Sequence, residues 1–201
     1  MNSKRALIFI MLLPLLGMLL SCDVFLAPKQ GRWNTNDPNA ELESLNQNLT
    51  PKVDGFLGLA VIWDEAGPDL KVRDDRCALL KITIPEIPDI ITLAELQLYC
   101  SGGPPPLNSN VSVHRILKPW DAGTVDWTTV TAAGFFDPNP ISVTYVSAIN
   151  VLYSWEMKNA VSSLPYGILL FGDDGDEKRF ASVDSPGDPK PTLIIEGYNK
   201  L

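Results

Sequence analysis

Short alternating runs of hydrophobic and polar residues fill the chain from about residue 53 onward, separated by Gly, Pro, Asn and Asp. A period of two is typical of strands with one buried face, so the pattern predicts an antiparallel β-fold. Most of the seventeen prolines lie between the runs, where they remove no donor from a strand ladder. The predicted strands cover residues 56–63, 77–84, 94–99, 111–117, 141–146, 167–171, 179–183 and 192–197.

These elements predict an all-β fold, an antiparallel two-sheet sandwich that is jelly-roll-like and has one short helix. The helix is expected within residues 146–159, and a short helical turn is expected over residues 41–48. The apolar positions of the expected helix are Ile149, Val151, Leu152 and Trp155. About 150 residues of folded chain suffice for a single domain with its own core.

The first 22 residues follow a different pattern, that of an export signal. Lys4 and Arg5 precede an apolar run, residues 6–20, with almost no polar side chain. This run is shorter than the roughly 20 residues that a membrane-spanning helix needs, which favours a cleaved signal. The letters LLSC at 19–22 resemble the lipobox of bacterial lipoproteins, in which the cysteine is lipidated. The alternative is an ordinary cleaved signal with a coincidental cysteine.

Lipidation of Cys22 would attach the protein to a membrane through acyl chains, in the bacterial cell envelope and outside the cytoplasm. Two or more chains hold a protein firmly, since each buried methylene contributes about 0.8 kcal/mol. The predicted organisation is a signal peptide at 1–21, the lipidated cysteine and a polar tether at 22–52, and the folded domain at 53–201.

The charge of the chain excludes one class of partner. The formal net charge is −8 and the pI is about 4.6, and loss of Lys4 and Arg5 with the signal takes the charge to −10. Nucleic-acid binding requires a basic face, so no nucleic-acid partner is expected. A local basic patch can still attract an acidic ligand.

Cys77 and Cys100 are the cysteines that lipidation would leave, in a compartment where disulfides persist. Strand parity argues against a bridge between them. The apolar set Ala78, Leu80 and Ile82 excludes Cys77, whereas the apolar set of the next strand includes Cys100. The two thiols are therefore expected on opposite faces, and a possible disulfide would require an intervening bulge.

Several phrases, in order between residues 55 and 198, resemble the DNRLRE-domain family. They are RCALLKITI at 76–84, ITLAELQLY at 91–99, VSVHRI at 111–116, PWDAGTVDW at 119–127, YGILL at 166–170, FASVD at 180–184 and PTLIIEGY at 191–198, with Trp155 at the place of a family tryptophan.

The resemblance implies a jelly-roll-like β-sandwich of the kind found beside secreted enzymes and on bacterial surface proteins. Some members of the family are carbohydrate-binding modules, so the resemblance also implies a polysaccharide ligand. Val183 and Asp184 stand where the family has an Arg-Glu pair, and Lys190 stands where it has arginine before proline. A polar site shared with the family is therefore not implied.

Exposed rings and a basic surface are the candidate polysaccharide contacts. Trp63 and Tyr99 are expected to expose rings that stack on sugars. The candidate basic surface for an acidic polysaccharide consists of Lys71, Arg73, Arg76, Lys81, His114 and Arg115. The alternative is that these are ordinary solvated charges. The residues expected to pack in a core are Trp120, Trp127 and Trp155.

An acidic turn is the candidate metal site, because Ca²⁺ takes about six to eight oxygen ligands. Its carboxylates are those of Asp173, Asp174, Asp176 and Glu177. The alternative is a solvated turn between two strands. The chain has one histidine, His114, and neither a Gly-x-Ser-x-Gly phrase nor a zinc-type histidine pair, so enzyme activity is not expected.

Together these features predict a lipid-anchored, non-enzymatic β-sandwich module that binds polysaccharide at the cell surface or in the periplasm. The alternative is a structural or adhesive protein that contacts other proteins of the envelope. A sugar binder should expose rings on a concave face beside polar groups. An adhesive module should instead show an exposed apolar patch or an open sheet edge.

Overall fold

The computed structural model describes residues 42–58, 61–64, 67–104 and 108–200, and the expected export signal and Cys22 lie outside these ranges. The strands within them are β1 (Leu42–Leu49), β2 (Val53–Gly58), β3 (Val61–Asp64), β4 (Asp69–Val72), β5 (Arg76–Lys81), β6 (Ile90–Gly102), β7 (Ser109–Arg115), β8 (Ser142–Val146), β9 (Val151–Glu156), β10 (Ile168–Gly172), β11 (Lys178–Ala181) and β12 (Thr192–Lys200). The same part of the chain has one helix, α1 (Trp127–Thr131), and a 3₁₀ turn at Val161–Ser163.

Two antiparallel sheets face each other across a common core. In sheet A, β6 pairs with β9 on one side and with β12 and β11 on the other, while β1 pairs with β12 and β4 pairs with β11. Sheet B has the strand order β3-β2-β5-β10-β7-β8. The prediction of an all-β, antiparallel two-sheet sandwich with one short helix is confirmed.

Alternate residues of both sheets fill the space between them. Ala78 and Leu80 of β5 meet Leu96 and Leu98 of β6 in this core, and all four are fully buried. Burying a leucine side chain contributes about 1.5–3 kcal/mol relative to leaving it exposed. The alternation that predicted the strands is therefore the same alternation that holds the two sheets together.

The predicted parity of the two cysteines is also confirmed. Cys100 lies in the core between the sheets, whereas Cys77 faces the outer side of sheet B. Both thiols are free and buried, so the possible disulfide between them does not form. Burial raises the pKa of both thiols, which keeps them protonated and unreactive.

A second hydrophobic core covers the outer face of sheet B. Residues 116–136, which include α1, fold back over β5 and β10 and bury Trp120 and Phe135 against Leu79 and Leu169. The chain therefore has three layers here, two sheets and an outer cap.

The three tryptophans expected in a core are found there. Trp155 is fully buried between the sheets, Trp120 is buried in the second core, and Trp127 is partly buried against it.

The prediction that the short helix lies within residues 146–159 is wrong. That stretch contains β9, in which Tyr153 and Trp155 point into the core while Leu152 and Ser154 point outward. Pairing with β6 imposes this period of two. The short helix of the fold is α1, in the cap.

The helical turn expected over residues 41–48 is also wrong, because β1 pairs with β12 along its whole length. The predicted domain boundary at residue 53 is therefore too late, since the folded domain includes the chain from Leu42. Two further details differ. The single strand predicted at 56–63 is the hairpin of β2 and β3, and β4 was not predicted.

Candidate ligand-binding cleft

A cleft of about 760 Å³ opens at one end of the sandwich. Its walls come from the segment that follows β5, from the residues that end and follow β7, and from the 3₁₀ turn before β10. The lining residues are Lys81, Ile82, Thr83, Ile84, Ile87, Arg115, Leu117, Val161, Ser162, Ser163, Leu164 and Pro165.

Two of the predicted basic residues, Lys81 and Arg115, belong to the lining of this cleft. Lys81 is the last residue of β5 and Arg115 is the last residue of β7, and both strands pair with the beginning of β10. Strands are spaced about 4.8 Å apart, so the two backbones lie roughly 10 Å from each other across β10. Their side chains leave sheet B on opposite faces, because Arg115 shares the inner face of β7 with Val113, whereas Lys81 shares the outer face of β5 with Leu79.

The ammonium group of Lys81 is oriented without being neutralised. Its Nζ donates to the carbonyl of Trp120 at 2.9 Å and lies 4.9 Å from the centroid of the Trp120 ring. The ion pairs between described residues do not include Lys81. The charge of this lysine is therefore held on the outer face of sheet B, against Trp120 of the cap.

Arg115 has an incompletely satisfied guanidinium. Its Nε–H is buried and has no hydrogen-bond acceptor among the described residues. Arg73, Arg76 and Arg179 all form ion pairs with aspartate or glutamate, whereas the ion pairs of the described chain do not include Arg115. A buried donor without an acceptor is costly, and a bound anion would satisfy it.

The remaining walls combine apolar and hydroxyl groups. Ile87 and Leu117 are 40% and 43% exposed and supply apolar surface to the cleft. Thr83, Ser162 and Ser163 add hydroxyl groups beside them. This combination suits a ligand that has both apolar faces and many hydroxyls.

The loop that carries Ile87 is fixed to sheet A by polar contacts. The Nε2 of Gln47 in β1 donates to the carbonyl of Glu86 at 2.8 Å, and the Nδ2 of Asn199 in β12 donates to the Glu86 carboxylate. The backbone N–H of Lys200 donates to Asp89 at 2.9 Å. One wall of the cleft is thus held in place by both strands at this edge.

The other predicted basic residues do not join this site. Arg76 begins β5, five residues before Lys81 and roughly 17 Å away along the strand. It pairs with Asp75 and Glu177, while Arg73 pairs with Asp75. The continuous basic surface expected from the sequence is therefore not formed, because local carboxylates neutralise its arginines.

Lys71 lies over an aromatic ring instead. Its Nζ is 4.7 Å from the centroid of the Phe56 ring. Tyr99 is partly exposed on the outer face of sheet A, as expected, and its hydroxyl donates to Asn150 Oδ1 at 3.4 Å. It does not line the cleft. Trp63 is part of β3, and its side chain lies outside the described part of the structure.

His114 is buried on the outer face of sheet B and takes part in no basic surface. Its Nδ1 lies 2.8 Å from the carbonyl of Asp137, which can only accept, so Nδ1 carries the proton in the neutral ring. Its Nε2 lies 2.9 Å from Ser112 Oγ and accepts from that hydroxyl. The Phe136 ring packs edge-on against the imidazole at 5.2 Å between centroids. His114 therefore anchors the cap to β7.

Burial lowers the pKa of His114, even though the carbonyl and charge of Asp137 oppose that shift. Unfolded His114 titrates near 6.5, so the unfolded chain binds more protons than the folded chain just below this pH. The free energy of unfolding is therefore expected to fall as the pH drops below about 6.5. Above that pH, His114 is neutral in both states and no longer makes the stability depend on pH.

Urea unfolding at about pH 7.5 and about pH 5.5 measures this loss. His114→Asn keeps a donor for the Asp137 carbonyl and removes the one histidine of the chain, so it is expected to abolish most of the difference. An equal loss of stability in both proteins would contradict the assignment.

The carboxylates of the acidic turn point to separate protein partners. Asp173 accepts from the backbone N–H and the Nδ2 of Asn110, at 3.0 and 2.7 Å. Asp174 accepts from Lys178 Nζ at 2.8 Å. Asp173 and Asp174 are thus used to fix the turn.

Glu177, at the end of the turn, accepts from Arg179 Nε at 2.7 Å and from Arg76. Among the described residues no three His, Cys, Asp or Glu side chains are grouped as metal ligands would be. The candidate Ca²⁺ site of Asp173, Asp174, Asp176 and Glu177 is therefore not formed in this structure.

The apolar walls of the cleft were not predicted as site residues. Ile87 stands between two prolines, and Leu117 is the last residue of the strand predicted at 111–117, before Lys118 and Pro119. An isolated large apolar residue in a proline-rich connection is the signal that could have identified them, because such a residue has no strand partner to bury it.

Comparison with models of known protein families finds no match for this chain, and comparison with curated proteins finds none either. The described residues include no helix with the length and apolar character needed to cross a membrane.

Proposed function

We propose that the protein is a non-enzymatic, lipid-anchored module of the bacterial envelope whose cleft binds an acidic polysaccharide. The observation that carries this proposal is the guanidinium of Arg115 at the cleft, which has a buried Nε–H without an acceptor and no carboxylate partner among the described residues. The protein as a whole is acidic, so an unpaired cation in the cleft favours an anionic ligand.

The chemistry of an acidic sugar matches the lining of the cleft. A uronic-acid carboxylate accepts two parallel hydrogen bonds from a guanidinium, which supports Arg115 as its principal contact. The apolar side chains of Ile87 and Leu117 suit the C–H faces of the sugar rings, and the hydroxyls of Thr83 and Ser162 suit the sugar hydroxyls.

The composition of the cleft also supports binding over catalysis. Its lining residues in the described chain include no carboxylate and no imidazole, the groups that most often act as general acids and bases. The export pattern and the lipobox-like LLSC at 19–22 support attachment at Cys22, where acyl chains would hold the domain at a membrane.

Titration calorimetry with polygalacturonate, compared with its fully methyl-esterified form, tests the proposal. The charged polymer is expected to bind, and the neutral ester is expected to bind at least about tenfold more weakly. Arg115→Ala is expected to weaken binding by about tenfold or more. Lys190→Ala, which removes one exposed positive charge outside the cleft, is the matched control and should leave binding unchanged.

Equal binding of the charged and neutral polymers would contradict an acidic ligand. Binding that survives Arg115→Ala and is lost in Tyr99→Ala would place the site on the outer face of sheet A. The absence of binding to several acidic glycans, chosen to differ in linkage, would overturn the proposal.

Contact with another protein is the second candidate function, and one observation favours it. Most of the large hydrophobic side chains that are exposed in the described chain are close together in sequence, in β8, in β9 and in the turn between them. An exposed apolar patch at a sheet edge marks an interaction surface. The two functions use different surfaces, so one protein can have both.

A further inference from the structure

The strand β1 is held to sheet A mainly through its backbone. It is an edge strand, and β12 is its one partner among the described strands. Every other strand of sheet A has at least one buried side chain, whereas the side chains of β1 are all half-buried or exposed. A segment with few buried apolar contacts opens at a lower free energy than the core, so we expect β1 to detach before the sandwich unfolds.

Two residues of β12 depend on β1 for their place in the sheet. β12 pairs with β6 as far as Tyr198, whereas Asn199 and Lys200 pair with β1 alone among the described strands. Asn199 lies opposite Glu43, and Lys200 lies opposite Leu42. Detachment of β1 would therefore leave these last residues of β12 without a strand partner.

The cleft-wall loop, residues 85–89, is anchored through the same two residues. Asn199 donates from Nδ2 to the Glu86 carboxylate and accepts at Oδ1 from the backbone N–H of Asp89 at 3.2 Å. The backbone N–H of Lys200 donates to the Asp89 carboxylate at 2.9 Å. These polar anchors of the loop on β12 thus depend on the pairing of β1.

Gln47 adds a direct link from β1 to the cleft-wall loop. It lies opposite Ile195, so its side chain enters the space between the sheets on the same face as Leu45 and Leu49. There Nε2 donates to the carbonyl of Glu86 at 2.8 Å, while Oε1 is buried without a donor among the described residues. A leucine at this position would leave no amide oxygen unpaired. The bond to Glu86 is therefore what a glutamine contributes here.

We infer that β1 is a strap that holds the wall of the cleft, with Gln47 as its positioning residue. When β1 is paired with β12, the cleft-wall loop is fixed and presents Ile87 to the cleft. When β1 detaches, the loop loses its link to Gln47 and its anchors on the end of β12 together. The pairing of β1 and the position of the wall thus form one cooperative unit.

The consequence for ligand binding rests on the function proposed above. A glycan that contacts Ile87 binds the form in which the wall is fixed, and therefore stabilises the pairing of β1. At a concentration about one hundred times its Kd, the glycan is expected to lower the population of the detached form by about a hundredfold. The strap thus couples occupancy of the cleft to the first strand of the described chain.

A disulfide lock on the strap tests the inference by hydrogen exchange. Asn46 and Glu196 are exposed and lie directly opposite each other on β1 and β12. Their Cα atoms are expected about 4.5–5.5 Å apart, so Asn46→Cys with Glu196→Cys can form a disulfide. The chain without its export signal and with Cys22→Ser is used, and the two other native cysteines are buried. Oxidation is expected to slow exchange of the Asp89 N–H by at least about tenfold relative to the reduced protein, although the disulfide does not touch the loop.

Substitution of Gln47 tests its role as the link. Gln47→Glu keeps the shape of the side chain but removes the donor to the Glu86 carbonyl. It is expected to speed exchange of the Asp89 N–H and of the β1 amides by the same factor, at least about threefold, because they open together. Asn48→Asp makes the same chemical change at an exposed position of β1, so it is the matched control and should leave both unchanged.

Oxidation that slows exchange in β1 but not at Asp89 would overturn the inference, because the strap would then not control the loop. Faster exchange confined to β1 in Gln47→Glu would overturn the role of Gln47. Polygalacturonate that binds without slowing exchange in β1 would overturn the coupling to the ligand. A failure of the proposed function is distinguishable from these outcomes, since the lock and the Gln47→Glu comparison decide the inference without any glycan.

Discussion

Replacement of Trp155 by alanine is expected to lower the free energy of unfolding by about 3–5 kcal/mol. Trp155 is fully buried between the sheets and packs edge-on against Phe180, with ring centroids 5.7 Å apart. Its Nε1 donates to the carbonyl of Val111 at 2.8 Å, which links β9 of sheet A to β7 of sheet B. The substitution removes the ring, leaves a cavity and deletes this link.

Urea unfolding followed by circular dichroism measures the change, with the slope of the transition expected to stay constant. Trp127→Ala is the matched control, since Trp127 is only partly buried at the margin of the cap and should cost less. Trp155→Phe keeps a ring but loses the donor, so its loss should lie between those of wild type and Trp155→Ala. A loss below about 1 kcal/mol for Trp155→Ala would show that the two sheets do not depend on this contact.

The same residue shows why part of the fold is not predictable from local pattern. Ile149, Leu152 and Trp155 recur every three residues, which favours a helix, whereas Val151, Tyr153 and Trp155 alternate, which favours a strand. Pairing of β9 with β6 decides between the two, and that partner lies about fifty residues earlier in sequence. Where only one period fits, as on β5 and β6, the predicted faces are those of the structure.

The strand β1 escaped prediction for a related reason. Its residues, from Leu42 to Leu49, are mostly polar and do not alternate cleanly. It becomes a strand because β12 offers an edge with which it pairs from end to end. The strand depends on its partner β12, so no local stretch of the sequence is sufficient to predict it.

The candidate cleft was likewise predicted only in part. The sequence identified Lys81 and Arg115 as possible ligand contacts, but it grouped them with Arg73 and Arg76 by charge alone. Asp74 and Asp75, which lie between those two arginines, were the local signal that their charges are neutralised. The nearness of the Lys81 and Arg115 backbones follows from the register of β10, which joins two strands far apart in the chain, while strand parity places their side chains on opposite faces of sheet B.

Breaking the ion pair of Lys178 is the other change expected to lower the free energy of unfolding strongly, because the ammonium group of this lysine is held inside the protein. The side chain is fully buried, and Nζ donates to Asp174 Oδ1 at 2.8 Å and to the carbonyl of Asp176 at 2.7 Å. Burial alone would raise the pKa of Asp174, but hydrogen bonds from Lys178 and from the Asp176 backbone outweigh it and lower the pKa. The acidic turn therefore serves as the counter-charge of a buried lysine.

Asp174→Ala is expected to lower the free energy of unfolding by about 2–4 kcal/mol, because it leaves a buried cation without its carboxylate. This lies below the usual cost of breaking a fully buried pair, since Asp174 is about one-third exposed. Asp176→Ala is the matched control in the same turn, because it retains the carbonyl that accepts from Lys178 and should cost little. Urea unfolding of the three proteins near neutral pH provides the comparison.

A double-mutant cycle distinguishes loss of the ion pair from loss of the turn. Lys178→Met removes the buried charge while keeping a long side chain, so it should restore much of the stability that Asp174→Ala loses. The cost of Asp174→Ala should also shrink in acid. The folded-state pKa of Asp174 lies below its unfolded value of 3.8, so the stabilisation is complete above that value and is lost as the pH falls through the lower one. A cost that persists unchanged in the Lys178→Met background would show that Asp174 acts on the turn independently of the lysine.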